Sequence, residues 1–178
     1  DKKKSRLATQ KFSSLMSLPI HLLLELFQRS DSVFCTNTEC GPTEARRLVV
    51  SEALHIVQQY GALISGDGWQ HLCRIAELSA TISHVGNDSD VLTTSFRIVE
   101  MIHHGCIVQL GQLGLIKFIA CVGSFIRQTV SDSNLSVNLS AVHIAWSVAD
   151  FIVSGGAAAS NDEGEEDDDE ENDENEEE

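Results

Sequence analysis

The feature that most constrains the fold is a recurring interval between predicted helix starts. Apolar residues recur three and four positions apart in segments separated by glycine, proline and small polar residues, which is the pattern of amphipathic α-helices. Three of these helices begin at Thr43, Asp90 and Ser136, which lie 47 and 46 residues apart. HEAT and armadillo repeats span about 40 to 47 residues. We therefore predict an all-α fold, a HEAT/armadillo-like α-solenoid fragment of about six helices in antiparallel pairs.

The breaks between the apolar segments set the predicted boundaries. We place the start of the six helices at about Leu18, Pro42, Trp69, Asp90, Gln112 and Ser136. Gly66, Asp67 and Gly68 are predicted to form a turn in which Asp67 caps the third helix. The domain assignment is a flexible basic N-terminal segment over 1–14, the helical domain over 15–154, and a disordered acidic tail over 155–178.

The charge of the chain is concentrated at its end. The formal net charge is −15, yet residues 161–178 hold 14 of the 27 acidic groups and no basic one. The remainder is nearly neutral, which argues against a nucleic-acid-binding protein, since such proteins carry a basic surplus. The tail has no apolar residues beyond Ala157–Ala159, so it cannot bury enough surface to order itself. We interpret it as a solvated spacer, with docking of a basic partner as the alternative.

Both terminal helices lack the polar capping face that ends a solenoid. Apolar residues remain at the first predicted helix (Leu22, Leu23, Leu26) and at the last (Ile144, Val148, Ile152). The domain therefore resembles a piece of a longer array, and we expect self-association or crystal contacts through one of these ends. Trp69 and Trp146 lie on apolar helical stripes, so we predict that both pack in the core.

One segment approaches the length of a membrane span. Cys106–Ile126 is apolar over roughly the 20 residues that a spanning helix needs, but Gln109, Gln112 and Lys117 interrupt it. A lysine near the bilayer centre costs about 3 kcal/mol. A helix buried between protein neighbours is the better interpretation.

Few residues are arranged for chemistry. His103, His104 and Cys106 are close in sequence, but adjacent helical residues point about 100° apart and no fourth ligand is spaced to complete a zinc site. Cys35 and Cys40 flank a loop without a matching pair, and five cysteines without a CxxC motif favour a reduced, cytosolic environment. No GxSxG or GxxxxGK[ST] motif is present. We predict a protein that is not an enzyme, with no catalytic, cofactor-binding or metal-binding residues; a small zinc enzyme using the first cluster is kept as an alternative.

Four stretches carry a resemblance to a known family. Three of them are Glu52–Val57, Gly66–Trp69 and Thr94–Val99, and the fourth is Ser136–Phe151, with its Trp-Ser-Val-Ala-Asp element. Together they resemble the helical homology domain found downstream of the exchange domain in large Arf guanine-nucleotide exchange factors, and the corresponding phrase of the monensin-sensitivity (Mon) trafficking scaffold, the branch without an exchange domain. The resemblance spans about Leu15 to Val153.

The resemblance implies a function that composition does not give. It points to a non-catalytic scaffold fragment of a large cytoplasmic protein, peripheral at Golgi and endosome membranes and acting in vesicle-mediated protein transport. The implied partners are proteins such as Arf-like small GTPases or Dopey-type partners, with membrane association through the parent protein. The alternative is a regulatory domain of an Arf exchange factor that binds an Arf-family GTPase or restrains its catalytic domain. No catalytic residue carries over to this segment.

Overall fold

The computed structural model describes residues 16–30, 41–83, 89–128 and 135–155. Residues 16–28 form a helix, called here the N-terminal segment. Five further α-helices follow: α1 (Pro42–Tyr60), α2 (Gly66–Ser83), α3 (Ser89–Met101), α4 (Gly111–Ile126) and α5 (Leu135–Val153). No strand occurs in the part of the chain that is described. The predicted all-α class is confirmed.

The helix boundaries agree with the sequence pattern in most places. Five α-helices lie between Pro42 and Val153, against about six predicted for the whole helical domain. The first predicted helix corresponds to the N-terminal segment. The proposed segment 1–14 lies outside the described residues, as does the tail apart from Gly155.

The start of α2 differs from its prediction. Gly66, Asp67 and Gly68 form the first helical turn instead of a separate turn. The Gly68 backbone N–H donates a hydrogen bond to the Ser65 hydroxyl, with 3.3 Å between N and Oγ, so Ser65 supplies the capping oxygen. Asp67 lies inside the first turn, where its negative charge interacts favourably with the positive end of the helix dipole.

Four helix pairs form most of the packing, whereas α1 with α2 and α3 with α4 make only small contacts. α1 packs against α3, and α2 packs against α3 and α4, while α5 packs against α4 and makes smaller contacts with α3. The centre of the core consists of fully buried residues of α2, α3 and α4, among them Trp69, Leu72, Ile75, Leu92, Ile98, Phe118 and Phe125. The rings of Phe96 and Phe125 join α3 to α4 with centroids 5.2 Å apart.

A short irregular region lies between α3 and α4. Residues Ile102–Cys106 form a π-helical turn, and Ile107–Leu110 form a 3₁₀ turn. Gly111 then takes φ +60°, a left-handed conformation that glycine adopts without steric cost. These turns place α4 beside α2, which it could not reach as a straight continuation of α3.

Buried polar side chains hold the helix ends in place. Gln128 donates to the Ala80 carbonyl, which ties the end of α4 to α2. Asn138 of α5 donates to the Ile126 carbonyl at 2.8 Å and so caps the C-terminus of α4, whose last carbonyls have no partner within the helix. At the other end of the molecule, Arg46 of α1 donates to the Ser30 hydroxyl at 3.0 Å.

Two helical runs of the described residues are long and apolar enough to cross a membrane. They are Ser89–Ile126 and Leu135–Val153, selected by length and composition alone. Core helices of soluble proteins meet the same criterion, so these runs are weak evidence of a span. The first run is not a straight helix, because the irregular turns and Gly111 interrupt it.

Candidate protein interface

Helix α5 has two apolar faces, one of which is covered by the rest of the described structure. The covered face consists of Val137, Ala141, Ile144 and Val148, at intervals of four, three and four residues. These side chains are buried against the rest of the core. Asn138 and Ser147 fix the helix on this side through hydrogen bonds to α4 and to the π-helical turn.

The opposite face of α5 is exposed. It is formed by Leu135, Leu139, Val142, Trp146, Ala149 and Val153, called here the α5 stripe, whose intervals alternate between four and three residues. Val142 is half-buried, and the other five are exposed. Leu139 is 60% exposed, Trp146 70% and Val153 88%. Single exposed apolar residues are ordinary on protein surfaces, but a contiguous row indicates an interaction surface.

These exposures correct two expectations. Trp146 is not in the core, whereas Trp69 is fully buried as predicted. Of the residues expected at the uncapped C-terminal end, Ile144 and Val148 are buried and only Ile152 is exposed. The reason is the same in both cases: α5 has two apolar faces, and the described residues of the chain pack against only one of them.

An apolar groove runs along one flank of the stripe. Its walls come from α4 and α5, and its volume is about 220 Å³. The lining residues are Ile119, Val122, Gly123, Ile126, Ala145, Val148, Ala149 and Ile152. Cavities of about 150 Å³ hold a benzene ring. The groove therefore has room for one large apolar side chain from another helix, and the small residues Gly123, Ala145 and Ala149 leave that room open.

The N-terminal segment presents a second exposed row. Leu18, Leu22 and Leu26 are four residues apart and 60%, 55% and 47% exposed. Ile20, Leu24 and Phe27, on the other side of the helix, are buried. The prediction of an uncovered apolar face is confirmed here for Leu22 and Leu26, while Leu23 is half-buried.

A polar recess lies beside this row, between the N-terminal segment and α2. Ser17, Leu18, His21, Asp67, Gln70 and His71 line a space of about 370 Å³. The rings of His21 and His71 are 5.0 Å apart at their centroids. Burial lowers the pKa of His71, and the neighbouring His21 lowers it further. The His71 ring therefore favours its neutral form beside His21.

The histidines of the π-helical turn serve a packing role. His103 Nε2 is 2.8 Å from the Ser147 hydroxyl of α5, and its ring lies 4.8 Å from the His104 ring. Burial lowers the pKa of His103, with additional contributions from His104 and His143. Its Nδ1 is buried without a hydrogen-bond partner among the described residues. In the protonated ring both nitrogens carry a hydrogen, and the Nδ1–H would be a buried donor without an acceptor.

The zinc alternative gains no support from this cluster. Within the described ranges, no group of three or more His, Cys, Asp or Glu side chains could hold a metal ion. Cys106 is half-buried near Gly61 and Trp69, and burial raises the pKa of its thiol. Burial also raises the pKa of Cys73 to about 12, and that of Cys121 well above its ordinary value. These thiols stay protonated and unreactive at neutral pH. Cys35 and Cys40 lie outside the described residues.

No family model, no curated protein and no solved structure matches the chain. The candidate interface is therefore assigned from its own residues, as two exposed apolar rows on the N-terminal segment and on α5. Helix α4 also exposes Leu113, Ile116 and Ile119, so, contrary to expectation, it is not buried between protein neighbours.

Proposed function

We propose that the chain is a non-catalytic helical scaffold that binds other proteins through its exposed terminal faces. The observation that carries this proposal is the pair of unpartnered apolar rows on the N-terminal segment and on α5. Interface cores are depleted in charged residues and enriched in aromatic residues such as Trp146.

The proposed architecture is that of an α-solenoid fragment. In a solenoid, each helix packs against its counterpart in the next repeat. The contacts of α1 with α3 and of α2 with α4 support this arrangement, whereas α1 with α2 and α3 with α4 make only small contacts. The 46 to 47 residue interval between Thr43, Asp90 and Ser136 supports the same arrangement.

The cellular setting rests on the resemblance. We propose a segment of a large cytoplasmic protein, peripheral at Golgi and endosome membranes, that acts in vesicle-mediated protein transport. The proposed partners are Arf-like small GTPases or Dopey-type proteins. A regulatory domain of an Arf exchange factor is the alternative, and the two differ in whether the parent protein carries an exchange domain.

A binding experiment tests the proposal directly. The purified chain is immobilised and exposed to Arf-family proteins loaded with GTP or GDP, and to a Dopey-type protein. We expect retention of at least one of them, with a GTPase retained in one nucleotide state only. The double variant Leu22→Glu/Leu26→Glu should lose this retention, because it places two charges on the exposed row.

The control is Gln28→Glu, which adds a charge at an exposed polar position of the same helix. It should bind as the natural chain does. Absence of binding to every candidate, or equal retention by the double variant, would contradict the proposed partner surface.

A further inference from the structure

We propose that the α5 stripe is covered by the α5 stripe of a second copy of this chain, in an antiparallel two-fold arrangement centred near Trp146. This inference deepens the proposed scaffold function, on which it rests, by assigning the two ends different occupants. The α5 ends join two copies, and the N-terminal rows remain available for other proteins.

The spacing of the stripe is suited to helix pairing. Its six residues follow the alternating four and three intervals that keep an apolar seam facing a partner helix over almost three heptads. At 1.5 Å per residue the 19 residues of α5 extend about 28 Å. Leu139 and Val153 lie seven residues on either side of Trp146. A two-fold axis near Trp146 therefore brings Leu139 of one copy opposite Val153 of the other.

The polar residues beside the α5 stripe favour one direction of pairing. His143 and Asp150 are exposed and lie along the same flank of the stripe, seven residues apart. In an antiparallel pair the flanking positions of one helix face the same positions of the other, so His143 of one copy lies opposite Asp150 of the other, twice. In a parallel pair these two residues face the other flank, which carries Asn138, Ala145 and Ile152.

The acidic run favours the same direction. Residues 161–178 follow α5 in each copy and hold 14 acidic groups. The C-termini of the two α5 helices, which lead into these runs, lie at the same end of the interface in a parallel pair and about 21 Å apart in an antiparallel pair centred near Trp146. The screening length at physiological salt is about 8 Å. The antiparallel arrangement therefore removes most of this repulsion.

The groove between α4 and α5 adds a matching recess. It borders the other flank of the stripe through Ala145, Ala149 and Ile152. A large side chain in the seam, such as Trp146 of the second copy, has apolar surface beside it on this flank. Each copy thus supplies both the protruding side chain and the recess, as a two-fold symmetric interface requires.

Sedimentation equilibrium of the full chain measures the association. We expect a monomer–dimer equilibrium, and Trp146→Glu should raise the dissociation constant by about 30-fold or more, the effect of losing a central aromatic anchor. Leu48→Glu is the matched control, since Leu48 is 53% exposed on α1, away from α5. Leu22→Glu/Leu26→Glu should also dimerise normally. A chain that stays monomeric, or a dimer that Trp146→Glu leaves intact, overturns the proposal.

Cysteine cross-linking tests the direction. Positions 139 and 139 of two antiparallel copies are about 21 Å apart, so Leu139→Cys and Val153→Cys alone should form no new covalent dimer. The double variant Leu139→Cys/Val153→Cys should form one under mild oxidation, compared with the natural chain and its own cysteines. Cross-linking by both single variants would show a parallel pair and contradict the proposal.

A charge exchange tests the flanking pair. His143→Glu should weaken the dimer about two- to five-fold by placing a carboxylate opposite Asp150 of the other copy. His143→Glu/Asp150→Lys should recover the natural affinity. No recovery would overturn the assigned pairing. Dimerisation is measured without any partner protein, so its failure is distinguishable from failure of the scaffold proposal: monomeric Trp146→Glu should still retain the partners that bind the N-terminal row.

Discussion

Helices α2 and α5 are nearly equal in length, with 18 and 19 residues, and each carries one tryptophan. Trp69 of α2 is fully buried, whereas Trp146 of α5 is 70% exposed. α2 has the N-terminal segment near its start and packs against α3 and α4, while α5 has α4 as its main neighbour. An apolar stripe in the sequence therefore identifies a surface that is stabilised by burial. The position of the helix among its neighbours decides whether residues of the same chain bury that surface.

The tryptophans give the largest expected difference between the two helices. Trp69→Ala should lower the free energy of unfolding by about 3–5 kcal/mol, the usual cost of emptying a large aromatic site in a core. Trp146→Ala should change it by less than about 0.5 kcal/mol in dilute solution, because the indole makes few intramolecular contacts. Urea unfolding of both variants at low protein concentration measures the two changes in the free energy of unfolding. Equal losses would mean that Trp146 is also covered by its own chain.

The two glycines at the start of α2 test how closely this helix packs against its neighbours. A Cβ added at Gly68 would lie 2.8 Å from Ile64 Cγ2 and 3.3 Å from Ile20 Cδ1, so Gly68→Ala should cost about 1–3 kcal/mol. A Cβ at Gly66 would meet nothing within 4 Å. Gly66→Ala should therefore stay within about 1 kcal/mol of the natural stability and can gain from helix propensity. Thermal melting of the two variants measures both changes in stability. An unchanged melting midpoint for Gly68→Ala would show that the N-terminal segment packs less closely on α2.

The contact between α5 and the π-helical turn should make stability depend on pH. The pKa of His103 lies below its ordinary value of 6.5 because of burial, and the neighbouring His104 and His143 add to the shift. The unfolded chain therefore binds this proton more readily than the folded one, and stability falls as the pH drops below about 6.5. His71 contributes with the same sign.

Urea unfolding at about pH 7.5 and about pH 5.5 measures this dependence. His103→Gln should reduce the difference between the two conditions, because it removes the titrating group and keeps a donor for Ser147. His55→Gln, at an exposed position of α1, is the control and should leave the difference unchanged. A steeper dependence in the His103 variant would contradict the assignment.

Sequence periodicity predicted the helices well because their apolar spacing is local information. The start of α1 at Pro42 and the burial of Trp69 both follow from it. The same information could not choose between the two faces of α5, since Leu139 and Trp146 form one helical stripe and Ile144 and Val148 form another. Only the packing of α5 on α4 makes that choice.

Other features depend on contacts between residues distant in sequence. His103 and Ser147 are 44 residues apart, so no local pattern brings them together. The π-helical turn that places His103 there has no spacing signal of its own. At the start of α2, both Ser65 and Asp67 are competent capping residues, and the extra turn at Gly66 selects Ser65. The trafficking function remains a prediction from the resemblance.

The smallest expected effect concerns the acidic run and tests what covers α5. Gly155 should be retained, because its φ of +79° and its N–H bond to the Ile152 carbonyl complete the end of the helix. Deleting residues 156–178 should change the melting midpoint little, within about 0.5 kcal/mol of stability. The deleted residues contain no apolar side chain larger than those of Ala157–Ala159, so they offer nothing that could cover Leu139 or Trp146. A large drop on deletion would show that the run packs on the body, and the α5 stripe would then no longer be a free surface.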